Sequence, residues 1–172
     1  MVWLAPQYER IDEPFTGAER PMLEGFLDYQ RASLLRRCSG LTASQLAERS
    51  VPPSSLSLLG IVRHLTDVER TYFRIRWGRE QTATYYSTPD RPDGAFDDVD
   101  PAFAQRDLER LVAEQSAARR AAADLPLETI FLNERWGEMS LRWALIHITA
   151  EYAAHTGQAD LIRERIDGKK GW

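Results

Sequence analysis

Four segments of this sequence carry apolar residues at the three- and four-residue intervals of an amphipathic helix, which limits the folds open to the chain. The pattern predicts helices over residues 21–37, 58–77, 100–123 and 141–167, the last preceded by Ser140 as its N-cap. No segment shows the strict alternation that is typical of a half-buried strand. Amphipathic helices of this length bury their apolar faces against one another. We therefore predict an all-α fold, built as a four-helix up-and-down bundle.

Several residues and segments mark where these helices begin and end. Ser57 is the expected N-cap of the second helix, and Gly168 is the expected stop of the last one. Residues 1–19 are predicted to form an irregular N-terminal arm. Residues 78–100 are predicted to form a long loop between the second and third helices. The chain is long enough for one core only, so residues 1–172 are expected to form a single domain.

The composition argues against strongly acidic partners. The net charge is −4 at pH 7 and the basic residues are dispersed, so neither nucleic acid nor an anionic membrane surface is an expected partner. The single cysteine, Cys38, excludes an intrachain disulfide and a thiolate cluster for zinc, and we interpret it as a small buried hydrophobic residue. The N-terminus lacks the pattern of a secretory signal. We expect a cytoplasmic protein that acts on small molecules.

The last predicted helix places two metal-binding residue types on its apolar side. With Ile148 at the centre of the apolar stripe, His155 falls about 20° from that centre and Glu151 about 60° from it, at the edge. A buried, unpaired carboxylate is costly unless a partner compensates for its lost hydration. Residues four apart are neighbours on a helix surface, so both side chains can reach a single cation.

His64 supplies a third candidate ligand, because it lies on the inward face of the second helix between Ile61 and Val68. Two imidazoles and one carboxylate suit a divalent transition metal, with zinc as the first choice and nickel or iron as alternatives. Three protein ligands leave coordination positions open for water or substrate, as in catalytic sites. The sequence therefore predicts a metal site formed by His64, Glu151 and His155.

Each of these residues also has a simpler interpretation. A histidine on an apolar helix face is more often a hydrogen-bonded core residue, and a Glu–His pair four apart can simply support its helix. Asp67, one turn beyond His64, could orient a metal ligand, although an exposed helical carboxylate is an equal alternative. His147 also lies four positions from Glu151. It falls about 100° from the stripe centre, so we place it beside the ligands or facing solvent.

The segments LSLLGIVRHLTDVERTYF and HITAEYAAHTGQADLIRERIDG resemble the DinB/YfiT-like superfamily of four-helix metalloproteins. The similarity extends from MLEGFLDYQRASLL to the C-terminal RIDG and is strongest with a mini-circle-type branch of bacterial proteins. It depends on His64 within an HL pair and on His155, which a Gly-Gln pair follows one residue later. The resemblance implies a triad of His64, Glu151 and His155, as in relatives such as mycothiol-dependent maleylpyruvate isomerase.

The resemblance also implies a type of chemistry. Relatives use low-molecular-weight thiols such as mycothiol or bacillithiol in S-transfer or isomerisation, and a dication favours the reactive thiolate. The implied function is a metal- and thiol-dependent transferase or isomerase, with the 78–100 loop bounding its pocket. Two alternatives stay open: a non-catalytic metal-binding bundle with an interaction or stress-response role, and a metal-dependent hydrolase. A homodimer is compatible with such a bundle.

Overall fold

The computed structural model describes residues 2–170, and it is mostly helical. The predicted domain and arm also include Met1, Gly171 and Trp172, which lie outside the described residues. The elements in chain order are α1 (Glu19–Cys38), α2 (Ala43–Ala47), α3 (Leu58–Glu69) with a π-helical continuation (Arg70–Trp77), α4 (Gly94–Asp97), a 3₁₀ turn (Pro101–Phe103), α5 (Ala104–Ala122), β1 (Ile130–Asn133), β2 (Gly137–Ser140) and α6 (Leu141–Asp167).

The predicted helix boundaries are confirmed where a capping residue defines them. The Ser57 hydroxyl accepts the backbone N–H of Gly60 at 3.0 Å, and the Ser140 hydroxyl accepts that of Trp143 at 3.1 Å. Each bond satisfies an N–H group that the first turn of a helix leaves without a partner. At the other end of α6, Gly168 has a φ of 76°, which is the left-handed conformation that commonly ends a helix.

The second predicted helix has the expected extent but an unexpected winding. After Glu69 it continues to Trp77 as a π-helix, and the backbone N–H of Gly78 reaches five residues back to the carbonyl of Phe73 at 2.8 Å. Each π-helical turn takes up more residues than an α-helical turn. The side chains after Glu69, including Tyr72, therefore leave the face that an α-helical period predicts.

The chain is mostly helical, as predicted, but it also contains one small two-stranded sheet that the all-α prediction did not include. β1 and β2 pair as an antiparallel hairpin in the register Ile130↔Ser140 to Asn133↔Gly137. The side-chain oxygen of Asn133 accepts the backbone N–H of Arg135 at 2.9 Å, and Gly137 has a φ of 77°. The strands are only four residues long, too short for a clear alternation of apolar and polar residues.

The long helices bury their apolar faces against one another. α1 packs along α6, and α3 packs against both α5 and α6. Fully buried residues from each of these helices form one core, among them Leu27, Leu34, Leu59, Ile61, Leu65, Leu108, Leu111, Ile148 and Tyr152. None of the helices within residues 2–170 is both long enough and apolar enough to cross a membrane. The predicted loop over 78–100 is present, but it includes the short helix α4.

A buried polar network joins the four long helices at one level. Arg31 of α1 donates two hydrogen bonds of 2.7 Å to the carboxylate of Glu69 at the end of α3. The Tyr152 hydroxyl of α6 donates to the same carboxylate at 2.9 Å and accepts from Gln115 of α5 at 3.1 Å. Such a network is favourable only when all its members meet, so it holds α3 and α6 in one relative register.

Candidate metal centre

The structure brings His64 of α3 together with Glu151 and His155 of α6. One potential ligand atom from each residue lies within 4.8 Å of those from the other two. Nε2 of His64 lies 3.1 Å from Oε1 of Glu151, and Nε2 of His155 lies 3.5 Å from the same oxygen. Among the described residues, this is the one group of three or more His, Cys, Asp or Glu side chains close enough to hold a metal ion.

The separations between the ligand atoms suit a small divalent cation. With metal–ligand bonds of about 2.0–2.1 Å, two ligands of a tetrahedral ion lie about 3.3 Å apart. The two distances from Glu151, 3.1 Å and 3.5 Å, lie on either side of that value. The imidazole rings of His64 and His155 meet edge to face, with centroids 4.7 Å apart. The donor set and its spacing therefore make a site for a divalent metal geometrically possible.

The cluster lies at the edge of the core, whereas the sequence led us to expect it in the interior. The side chains of His64, Glu151 and His155 are 25%, 32% and 14% exposed. This partial exposure is what a site that admits a substrate requires.

The protonation of the cluster favours metal binding. Burial raises the pKa of Glu151, but the hydrogen bond from His64 and the nearby histidines outweigh it, so that the pKa lies below its usual value. Burial and the neighbouring His64 lower the pKa of His155, and they outweigh the opposing effects of Gln158 and Glu151. Metal ligation needs an ionised carboxylate and neutral imidazoles, and both shifts favour these forms.

Gln158 orients the His155 ring. Its side-chain Oε1 lies 2.7 Å from Nδ1 of His155, one turn back on α6. An amide oxygen only accepts hydrogen bonds, so this contact places the ring proton on Nδ1. Nε2 is then left with a lone pair for a metal, and a hydrogen bond from the other ring nitrogen commonly fixes a ligating histidine in this way.

Phe96 covers one side of the cluster, and nothing in the local sequence pattern predicted its role. Its ring stacks on His64 with centroids 5.0 Å apart and an interplanar angle of 27°. Phe96 lies on α4, within the loop that we expected to bound the pocket. A Cβ atom at Gly60 would lie 3.2 Å from Cδ1 of Phe96, so a glycine one turn before His64 allows this close approach.

Arg63 holds the loop in this position. Nη2 of Arg63 donates to the carbonyl of Gly94 at 3.0 Å, and Nη1 donates to the carbonyl of Asp98. The guanidinium also lies 4.5 Å from the ring centroid of Tyr86. These contacts connect both ends of α4 to the helix that carries His64. Arg63 is therefore a buried residue of α3 that holds the loop in place.

Asp67 also binds the loop, and no hydrogen bond joins it to the three candidate ligands. Its carboxylate accepts the backbone N–H groups of Tyr85, Tyr86 and Ser87 at 2.7, 3.1 and 2.8 Å. The side chain is buried, in contrast to the exposed carboxylate that we considered as an alternative. Asp67 thus shapes the loop through these three hydrogen bonds.

His147 lies apart from the three candidate ligands and is half-buried. Its Nε2 lies 3.1 Å from the Tyr72 hydroxyl, and its ring stacks on that of Trp143 with centroids 4.5 Å apart and an angle of 10°. It lies one turn before Glu151 on α6 and is among the charges that lower the pKa of that carboxyl. Its direct partners are aromatic residues of an adjacent cleft.

The fold and the cluster together define a mostly helical protein with a candidate metal site of two histidines and one glutamate. Comparison with protein families identifies it further. The family model MST, mycothiol S-transferase, matches residues 22–168, and the chain belongs to this DinB-like family. The match confirms the broader resemblance seen in the sequence. A search of curated proteins found no match.

Proposed function

We propose that this protein is a divalent-metal-dependent S-transferase that joins the sulfur of mycothiol to a small electrophilic substrate. Two observations support the proposal: the chain belongs to the mycothiol S-transferase family, and His64, Glu151 and His155 have ligand atoms within 4.8 Å of one another. The three side chains come from two helices and are partly buried, and a bound cation would compensate for the hydration that they lose there.

The donor set determines what a bound cation would contribute. A divalent ion held by His64, Glu151 and His155 would supply a positive charge that favours the thiolate form of an adjacent thiol. Because two neutral imidazoles and one carboxylate bring a single negative charge, one positive charge would remain to attract the anion. Zinc is our first choice for this ligand set, with nickel and iron as alternatives.

The residues around the triad would restrict how the substrates approach. Phe96 covers one side of the His64 ring, and Gln158 keeps the His155 ring in place through Nδ1. The thiol and the electrophile must then enter from the exposed side of the cluster. Holding both reactants in one geometry is a large part of how such a site would accelerate the reaction.

The proposed transfer is balanced without a redox partner. The thiol proton leaves to water as the thiolate forms, and the sulfur electron pair then forms a bond to the electrophilic carbon. The bond from that carbon to its leaving group breaks, and the leaving group departs with the electron pair. The products are a thioether of mycothiol and the released anion.

We also propose that α1, α3, α5 and α6 form the up-and-down four-helix bundle that the sequence predicts. The polar network of Arg31, Glu69, Gln115 and Tyr152 supports this arrangement, because it takes one residue from each of these helices. A bundle of this kind builds metal sites from side chains on facing helices.

Metal content and S-transfer activity of matched variants test the proposed function. We expect the wild type to bind one divalent ion per chain and to consume mycothiol with an alkylating electrophile. His155→Ala should lose both properties but keep the helical circular dichroism spectrum. The control is Glu164→Gln, an exposed change on the same helix, which should match the wild type.

Other outcomes would contradict the proposal in different ways. A wild type that binds no divalent metal after reconstitution would overturn the metal site. Loss of helical structure together with the metal in both His155→Ala and Glu151→Ala would indicate a structural site. Ester cleavage by the metal-loaded protein without thiol, and with no S-transfer, would indicate a hydrolase.

A further inference from the structure

An aromatic cleft opens beside the candidate metal centre, between the β-hairpin, the start of α6 and the π-helical segment. It has a volume of about 710 Å³, within the range of pockets that bind small molecules. Its apolar and aromatic lining comprises Tyr72, Ile130, Trp136, Met139, Trp143 and His147. Nothing in the role proposed for the triad uses this cleft.

The ring planes of the cleft are already arranged for stacking. His147 and Trp143 are nearly parallel, and the ring of Tyr72 lies 5.3 Å from the first and 6.3 Å from the second. The hydrogen bond between Tyr72 and His147 holds two of these rings together. Trp136 and Trp143 are nevertheless 60% and 38% exposed. Large exposed aromatic surfaces around a concavity are typical of a binding site for a flat apolar ligand.

The cleft adjoins the triad along α6. His147 precedes Glu151 by four residues, which is about 6 Å along the helix axis and about 40° around it. Both side chains therefore lie on the same side of α6. Because the His147 and Trp143 rings stack on each other, a small ligand would lie on the outer face of this pair and extend one of its carbon atoms towards a thiol held beside Glu151.

The charges around the cleft are of both signs. Glu138 lies in the lining, whereas the guanidinium of Arg76 lies 4.3 Å from the ring centroid of Tyr72 and that of Arg135 lies 5.2 Å from the ring centroid of Trp136. Charge therefore does not select the ligand, and the indole and imidazole planes favour an aromatic ring that can stack on them.

We propose that this cleft binds the electrophilic co-substrate, and that the co-substrate is a flat aromatic molecule with a leaving group on a benzylic or ring carbon. This inference rests on the proposed S-transfer function and adds its substrate class. For a benzylic chloride, the thiol proton goes to water, the sulfur–carbon bond forms, and the carbon–chlorine bond breaks with release of chloride.

Binding of an unreactive analogue tests the cleft without any dependence on turnover. The probe is 4-nitrobenzyl alcohol, an analogue of 4-nitrobenzyl chloride that lacks the leaving group, and cyclohexanecarboxamide is the comparison without an aromatic ring. Calorimetry should detect the alcohol and find much weaker binding of the carboxamide. Trp143→Ala should bind the alcohol about tenfold more weakly, because the stacking surface is removed. Leu161→Ala removes an exposed apolar residue of α6 outside the cleft and should bind normally.

The same titration in His155→Ala separates this inference from the proposed function. If His155→Ala and the wild type both bind the alcohol, but neither holds metal nor transfers sulfur, the cleft stands and the S-transfer proposal fails. If metal binding and S-transfer occur but the alcohol does not bind, or binds Trp143→Ala as tightly as the wild type, the inference is wrong. Trp143→Phe, which keeps a stacking ring, should retain most of the affinity and reveals any folding defect of the alanine variant.

Self-association of the protein through the aromatic cleft is the alternative that the same variants test. If sedimentation shows a dimer that Trp143→Ala dissociates, and the alcohol does not bind, the exposed aromatic rings serve self-association. That outcome would overturn the proposed co-substrate cleft.

Discussion

Nε2 of His64 lies 3.1 Å from Oε1 of Glu151, although 87 residues separate the two side chains in the sequence. The contact joins α3 to α6 at a half-buried position, and neither residue belongs to the apolar core. Nε2 of His155 lies 3.5 Å from the same carboxylate oxygen, which makes Oε1 of Glu151 the atom that both imidazoles share. The central position of this oxygen makes Glu151 the most informative residue to change.

Glu151→Gln should weaken metal binding by about 100-fold while the protein stays folded. The amide keeps the size of the side chain but loses the negative charge that attracts a dication. Because Glu151 is partly exposed, the free energy of unfolding of the metal-free protein should change by less than about 1 kcal/mol. Competition with a chromophoric chelator measures the affinity, and Glu164→Gln is the control. An unchanged metal affinity would exclude Glu151 as a ligand.

Gln158→Ala should weaken metal binding by about tenfold, because His155 loses the acceptor that fixes its ring through Nδ1. Gln158→Glu retains an acceptor at this position and should preserve the affinity. The same chelator competition compares the two variants with the wild type. Equal losses in both variants would show that the contact with Nδ1 does not orient the ring.

Asp67→Asn should destabilise the protein by about 2 kcal/mol, because the amide cannot accept all three backbone N–H groups that the carboxylate accepts. Urea unfolding measures the loss, and hydrogen exchange at Tyr85, Tyr86 and Ser87 should accelerate in the native state. Asp97→Asn, an exposed change in the same loop, should have little effect. Equal stability of the two variants would contradict the anchoring role of Asp67.

Cys38 should not react with thiol reagents in the native protein at pH 8. Complete burial raises the pKa of its thiol to about 12, although Arg163 acts in the opposite direction. At pH 8 only about 0.01% of the thiol would be ionised, and burial also prevents access by the reagent. A colorimetric disulfide reagent should modify it only in urea, with Cys38→Ser as the blank. Rapid native modification would show that the thiol is accessible.

Local sequence signals predicted the helices well and the remaining backbone poorly. Ser57, Ser140 and Gly168 act within one helical turn of their own position, so their effects can be read from neighbouring residues. The π-helical winding after Glu69 and the hairpin over 130–140 have no such signal. Both depend on how segments that are distant in the sequence pack together. The periodicity of apolar residues within one segment carries no information about that packing.

The sequence alone determined which residue types the apolar faces of α3 and α6 present, because side-chain direction along a helix follows from its period. That sufficed to select His64, Glu151 and His155. Only the tertiary structure decided that they meet at the edge of the core, that Phe96 covers one side, and that Asp67 binds the loop. Those outcomes depend on the register of α3 against α6. Packing between the helices and the buried network around Glu69 set that register, and both involve residues far apart in the sequence.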